Sequence, residues 1–111
     1  MDRDKIHESM KTVGGYIQVG NEGVFALFDH SASHSFISSK LVEELKLEKL
    51  PIRRPLIVYT PEGEVLADQM CKNVKLQIKE ENFTATLIVL KSMDIPVVLG
   101  NGWICAHKGV I

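Results

Sequence analysis

The sequence has little cysteine, no excess of charge of either sign and no long apolar run. Cys71 and Cys105 are its only cysteines, too few for the disulfide scaffold of a small secreted domain. Lys and Arg number 13 against 14 Asp and Glu, which argues against a nucleic-acid or membrane-surface partner. The longest apolar runs, such as Val24 to Phe28, fall far short of the ~20 residues of a membrane span. The first residues, MDRDKIHESMK, are too charged for a signal peptide, so we expect an intracellular protein, cytoplasmic or nuclear.

The remaining composition is that of an ordinary globular domain. The chain has 111 residues, of which 45% are hydrophobic and 24% charged, and this length predicts a single domain. Gly14-Gly15 precedes the first β-forming run. We therefore expect a flexible charged segment over residues 1–13 and one domain over 14–111.

Short runs of β-forming residues between turn signals predict a mostly β fold. Strands are predicted at residues 16–19, 24–28, 56–59, 64–67, 74–78, 83–90 and 95–100. The run from Val24 to Phe28 is apolar at every position, which predicts a strand buried on both faces. The number and spacing of the strands favour a closed or folded-over barrel.

The sequence also predicts one clear helix and a second, shorter one. Ser38-Ser39 is a capping signal for a helix over residues 40–45. Trp103 to His107 is a candidate short terminal helix. Between them, Pro51 and Pro55 predict an extended linker, because no helix continues through them.

Asp29 directly follows the most apolar of the predicted strands and precedes a polar segment over residues 30–35. A carboxylate in that place is partly desolvated and lies among hydroxyls and loop amides, an environment that favours acid–base chemistry. The alternative is a turn in which the Asp side chain simply closes the strand.

The residues around Asp29 resemble a known family. Residues 25–38, FALFDHSASHSFIS, resemble the "LIDSGATHSFIS" segment of retropepsin-like aspartic proteases, above all those in the polyproteins of plant gypsy-type LTR retrotransposons. Residues 56–63 resemble the strand and tip of the family's flap hairpin. Residues 71–78, 83–90 and 94–104 resemble its "C..V.L.I", "F.ADLIVL" and "DVILGMDWL" segments, in the same order.

The resemblance implies a retropepsin-like closed barrel half, mostly β, with a flap hairpin and one or two short helices. Asp29 would be the catalytic carboxylate of an aspartic endopeptidase, paired with Asp29 of a second copy in a dyad that shares one proton. The active-site loop would comprise His30, Ser31, Ala32 and Ser33. The flap tip would comprise Thr60, Pro61, Glu62 and Gly63. The hairpins would close over an extended peptide or polyprotein segment, and no cofactor is implied.

The chain departs from the family motif beside the carboxylate, where Asp-Ser/Thr-Gly reads Asp29-His30-Ser31. The family's hydroxyl at position 30 forms a hydrogen bond across the dimer. The imidazole of His30 is bulkier than the Ser or Thr side chain that it replaces. The family's glycine at position 31 lets backbone approach the carboxylates, whereas serine adds a Cβ and a hydroxyl. These changes favour a weak or inactive protease. The alternative function is a catalytically dead module for dimerisation or for peptide or protein binding.

The resemblance also bears on oligomeric state, because retropepsin dimers are tied together largely by interleaved terminal strands. Residues 109–111 lie near the point where the family begins its last strand, and residues 1–11 are charged. We therefore expect a monomer at low concentration and at most a weak homodimer.

Metal and cysteine chemistry are weaker interpretations. His30 and His34 are four residues apart and near Asp29, a spacing that could suggest a metal site. They precede the predicted helix, so the spacing need not place them on one face, and no metal is predicted. Cys71 and Cys105 lie in apolar-flanked segments and are interpreted as small core residues rather than nucleophiles.

Overall fold

The structure, a computed structural model, describes residues 12–60, 63–91 and 93–107. Within these ranges the strands are β1 Thr12–Val19, β2 Glu22–Asp29, β3 Phe36–Ser38, β4 Leu50–Thr60, β5 Gly63–Ile78, β6 Glu81–Leu90 and β7 Val97–Gly100. The helices are α1 Ser39–Leu45 and α2 Asn101–Ala106. Neither of these helices is long and apolar enough to cross a membrane. The prediction of a mostly β fold with one or two short helices is confirmed.

The strands form one sheet in the order β1-β2-β7-β3-β6-β5-β4, and an additional pairing of β1 with β5 partly closes it. The neighbours β1–β2, β4–β5 and β5–β6 are antiparallel hairpins. In contrast, β2–β7 and β3–β6 are parallel, and β7 lies between β2 and β3. The connection from β2 to β3 must therefore cross over the end of β7.

One long strand replaces two predicted ones. β5 runs without interruption for 16 residues, whereas the sequence predicts separate strands at 64–67 and 74–78. Its register with β6 shifts between Cys71 and Val74, and Asn73 has a φ of 53°. A bulge of this kind bends a strand without ending it, so the predicted interruption is wrong.

The segment containing Pro51 and Pro55 is not a linker, because both prolines lie within β4. β4 is the last strand in the sheet order, and an edge strand tolerates proline because one side of its backbone needs no partner. The register between β4 and β5 shifts between Pro51 and Leu56, which accommodates the second proline. The predicted linker is therefore wrong.

β2 alternates in burial, so the prediction of a strand buried on both faces is only partly right. Val24, Ala26 and Phe28 are buried in the main core. On the other face Phe25 is 37% exposed, and its ring makes an edge contact with Tyr16 of β1. Leu27, nearer the end of the strand, packs against a second apolar cluster. Apolar burial on both faces is thus confined to the part of β2 next to Asp29.

Of the two cysteines, only one is a core residue. Cys71 is buried, and this burial raises the pKa of its thiol. Cys105 is exposed, because in α2 it is the neighbouring Ile104 that faces the core. The interpretation as a small core residue is confirmed for Cys71 and wrong for Cys105.

Helix α1 begins where the sequence predicts. Ser38 is its N-cap, and the Ser38 Oγ accepts a hydrogen bond from the Leu41 N–H at 3.1 Å. The last turn ends at Lys46, which has the left-handed φ of 55°. Ser38 also joins the helix to the sheet, since it is the last residue of β3.

Replacing Ser38 by alanine should lower the free energy of unfolding by about 1 kcal/mol, the usual value of a serine cap. Urea denaturation measures the change. Ser39→Ala is the matched control, because it removes a hydroxyl from the next position and leaves the cap intact. Equal losses in the two variants would contradict the capping role.

Candidate active site

Asp29 is the last residue of β2 and pairs with Gly100, the last residue of β7. The residue as a whole is partly buried. The loop of residues 30–35, called here the Asp29 loop, then crosses the end of β7 and enters β3, which pairs with β7 on its other side. Because β2 and β3 both pair with β7, the Asp29 carboxylate is held at the end of the sheet where the loop crosses β7.

Ser31 binds the Asp29 carboxylate through two groups. The Ser31 N–H donates to Asp29 Oδ1 at 2.9 Å, and the Ser31 hydroxyl donates to the same oxygen at 2.6 Å. The Ala32 N–H donates to the main-chain oxygen of Asp29 at 3.1 Å. The first and third bonds are those of a turn closed by an Asp side chain. The turn that the sequence offers as an alternative is therefore present, and it also fixes the carboxylate.

Backbone N–H groups at the start of α2 donate hydrogen bonds to the Asp29 loop. The Gly100 N–H donates to Ser35 Oγ, and the Asn101 N–H donates to the Ala32 carbonyl, both at 2.9 Å. The Asn101 side-chain oxygen lies 3.1 Å from His30 Nδ1. Sequence reasoning missed Asn101, because only the pairing of β2 with β7 places it beside His30.

A cleft of about 480 Å³ separates the Asp29 loop from strand β4. The cleft is lined on one side by Asp29, Ser31, Ala32, Ser33 and His34, on the other by Leu56, Ile57, Val58, Tyr59 and Thr60, and between them by Phe36 and Val98. His30 does not belong to this lining, since its ring contacts Asn101. Four of the five predicted residues of the catalytic loop thus meet in the cleft.

The β4–β5 hairpin forms the second wall. The strands predicted at 56–59 and 64–67 form a hairpin, and Thr60 and Gly63 are its last pair. The Thr60 hydroxyl donates to the Gly63 carbonyl at 2.8 Å, and Gly63 has a φ of 127°. Pro61 and Glu62, the centre of the predicted flap tip, lie outside the described residues. The role of these four residues as a flap tip stays a prediction.

The two faces of this hairpin differ. One face packs on the second apolar cluster and is formed by Leu56, Val58, Val65 and Ala67. The other face is exposed, with Ile57 at 55%, Tyr59 at 76% and Leu66 at 65%. The hairpin is therefore held to the rest of the domain through one face only.

The two histidines of the loop have separate partners. His34 Nδ1 lies 2.9 Å from Ser33 Oγ, whereas His30 contacts Asn101. Within the described ranges, no three His, Cys, Asp or Glu side chains lie close enough together to hold a metal ion.

A partly closed β sheet with a carboxylate loop on one wall of a cleft and a hairpin on the other defines an acid-protease half-barrel. A family model described as retroviral aspartyl protease matches residues 1–111, and the chain belongs to this family. No curated protein sequence matches.

Solved structures show the same fold. The EIAV protease complexed with the inhibitor HBY-793 superposes with a TM-score of 0.69 at 15% identity, over 88% of this chain and 89% of that one. The retroviral protease-like domain of Ddi1 from Leishmania major gives a TM-score of 0.68 at 12% identity, over 88% and 78% of the two chains. The retropepsin-like fold predicted from the sequence is confirmed.

Proposed function

We propose that this chain is a weakened aspartic endopeptidase domain, which binds an extended peptide in the cleft and hydrolyses it slowly or not at all. The observation that carries the proposal is the 2.6 Å hydrogen bond from the Ser31 hydroxyl to Asp29 Oδ1. Family membership supports the reaction class, and the cleft between the Asp29 loop and the hairpin supports the peptide as substrate.

The reaction needs two carboxylates that share one proton, so that one acts as a base on water while the other polarises the scissile carbonyl. Asp29 is one such group, and a second copy of the chain would bring the other about a two-fold axis. The Ser31 hydroxyl contacts the same carboxylate that the water and the partner Asp29 must approach. It therefore competes with both for Oδ1.

The unmodified chain should cleave a mixture of unstructured peptides at mildly acidic pH only slowly, and Asp29→Asn should abolish whatever cleavage is present. Mass spectrometry of the products measures both. Ser33→Ala is the matched control, because Ser33 lines the cleft and bonds His34 rather than Asp29. Cleavage that survives Asp29→Asn would refute the role of Asp29, and fast Asp29-dependent cleavage would overturn the inhibitory role of Ser31.

The second candidate function is that of a peptide-binding module without catalytic activity. The observation in its favour is that a cleft of about 480 Å³ lies between the Asp29 loop and β4 although the sequence beside Asp29 departs from the family motif. Under this alternative, Asp29→Asn leaves peptide affinity unchanged and no cleavage is seen even in variants with the family motif restored. Under the main proposal, the restored motif restores cleavage.

We further propose that the domain derives from a retrotransposon polyprotein of the plant gypsy type, or from a domesticated descendant. The support is the resemblance of residues 25–38 and 94–104 to the segments of those proteases. We also propose an intracellular location and a homodimer weak enough to dissociate at low concentration.

A further inference from the structure

We propose that Asn101 is a positioning residue of this site, which holds the Asp29 loop from within the same chain through His30. The catalytic meaning of this role rests on the proposed function. The contact itself is independent of that function, and so are the measurements that test it.

The strand register explains why these two residues meet. Asp29 and Gly100 are the last paired residues of two parallel strands, so the residues that follow them, His30 and Asn101, leave the sheet side by side. The His30 Nδ1 lies 3.1 Å from the Asn101 Oδ1. An amide oxygen only accepts hydrogen bonds, so the ring nitrogen is the donor. The side chains of His30 and Asn101 thus connect the two strands one residue beyond their last backbone pair.

Asn101 holds the loop on both sides of Ser31. Its side chain binds residue 30, and its N–H donates to the carbonyl of Ala32 at 2.9 Å. Ser31, between these two anchored residues, donates its N–H and its hydroxyl to Asp29 Oδ1. The position of Asn101 therefore determines where Ser31 lies against the carboxylate.

The Asn101 side chain has one further contact, within its own helix. The Cys105 thiol lies 3.5 Å from Asn101 Oδ1, one turn further along α2. In the family that this sequence resembles, a hydroxyl at position 30 braces the loop across the dimer. In this chain, His30 contacts Asn101 of the same copy. This contact therefore positions the loop without a second copy of the chain.

The nitrogen resonances of the His30 ring test the contact directly. The hydrogen bond from Nδ1 holds the neutral ring in the Nδ1–H tautomer. In spectra recorded at a pH at which the ring is neutral, this tautomer should persist in Asn101→Asp, which keeps the acceptor oxygen, and should be lost in Asn101→Leu, which has similar size and no acceptor. His34 is an internal control, because it bonds Ser33 and should not change. An unchanged His30 ring in Asn101→Leu rules out the brace.

Hydrogen exchange of the Ser31 amide tests positioning. Loss of the brace in Asn101→Leu should speed this exchange roughly 2- to 10-fold, the effect of one exposed hydrogen bond. Exchange at Leu87 in the core should not change, and Asn101→Asp should restore the slow rate at Ser31. A His30 ring that changes while Ser31 exchange does not would show a contact without a positioning role. Neither readout uses a peptide, so both stand apart from a failure to bind or cleave one.

Discussion

Replacing Gly100 by alanine is expected to lower the free energy of unfolding by about 3 kcal/mol or more, at the upper end of the range for overpacking. A Cβ at this position would overlap the carbonyl oxygen of His34 and lie 2.8 Å from that of Ala32. Both are backbone atoms, so neither moves aside by rotating a side chain. The close approach arises because the Asp29 loop crosses the end of β7 at this residue, and relief of the contact must lift the loop or displace β7.

Gly102→Ala is the matched control, since it makes the same chemical change two residues away. Apart from its chain neighbours and the backbone of its own helix, no heavy atom lies within 4 Å of a Cβ at Gly102, and the residue belongs to α2. Alanine is the better helix former by up to about 1 kcal/mol, so this variant should be slightly more stable than the wild type. Urea denaturation compares the two variants. A Gly100→Ala chain that unfolds at the wild-type urea concentration would show that the loop does not press on β7.

The features predicted correctly from the sequence are those that depend on a few adjacent residues. The start of α1 at Ser38 follows from a hydroxyl that bonds a backbone N–H three residues later. The turn after β5 lies between the strands predicted at 74–78 and 83–90, and Lys79 and Glu80 adopt φ values of 51° and 70° there although neither is glycine. Two-residue hairpin turns demand positive φ, and the pairing of β5 with β6 imposes it.

The features that escaped prediction depend on strands that meet only in the folded chain. The continuity of β5 past Asn73 is set by its pairing with β6, and the prolines of β4 are tolerated because that strand has a sheet neighbour on one side only. Asn101 has no local signal at all. Its place beside His30 follows from the parallel register of β2 with β7, which no short segment encodes. The contact of Ser31 with Asp29 is local by comparison, because the two residues are two positions apart, and a turn closed by the Asp side chain is one of the two interpretations that the sequence offers.

Restoring the family motif with His30→Ser and Ser31→Gly should raise Asp29-dependent cleavage on the order of 100-fold, the gain expected when a catalytic group moves by ~1 Å into place. Ser31→Gly removes the hydroxyl from Asp29 Oδ1 but keeps the backbone N–H that donates at 2.9 Å. His30→Ser supplies a hydroxyl for a contact between chains and releases the link to Asn101. The measurement is the initial rate of peptide hydrolysis at mildly acidic pH.

The matched control changes the same residue types in the same loop. Ser33→Gly with His34→Ser removes a serine hydroxyl and an imidazole that bond each other and not Asp29, so it should not produce the gain in rate. Adding Asn at position 29 to the restored chain should abolish the gain. A gain that survives this change would place the chemistry elsewhere in the chain.

The dependence of the rate on protein concentration separates chemistry from assembly. One chain contributes one Asp29 to the proposed dyad, so while the dimer is weak the rate should rise with the square of the chain concentration and become linear once dimers predominate. Sedimentation over the same concentrations gives the dimer fraction independently. A restored chain that is dimeric and still inactive would show that Ser31 and His30 are not the block. A rate strictly proportional to concentration in a monomeric chain would show that a single copy carries the reaction, and the two-carboxylate mechanism would then be wrong.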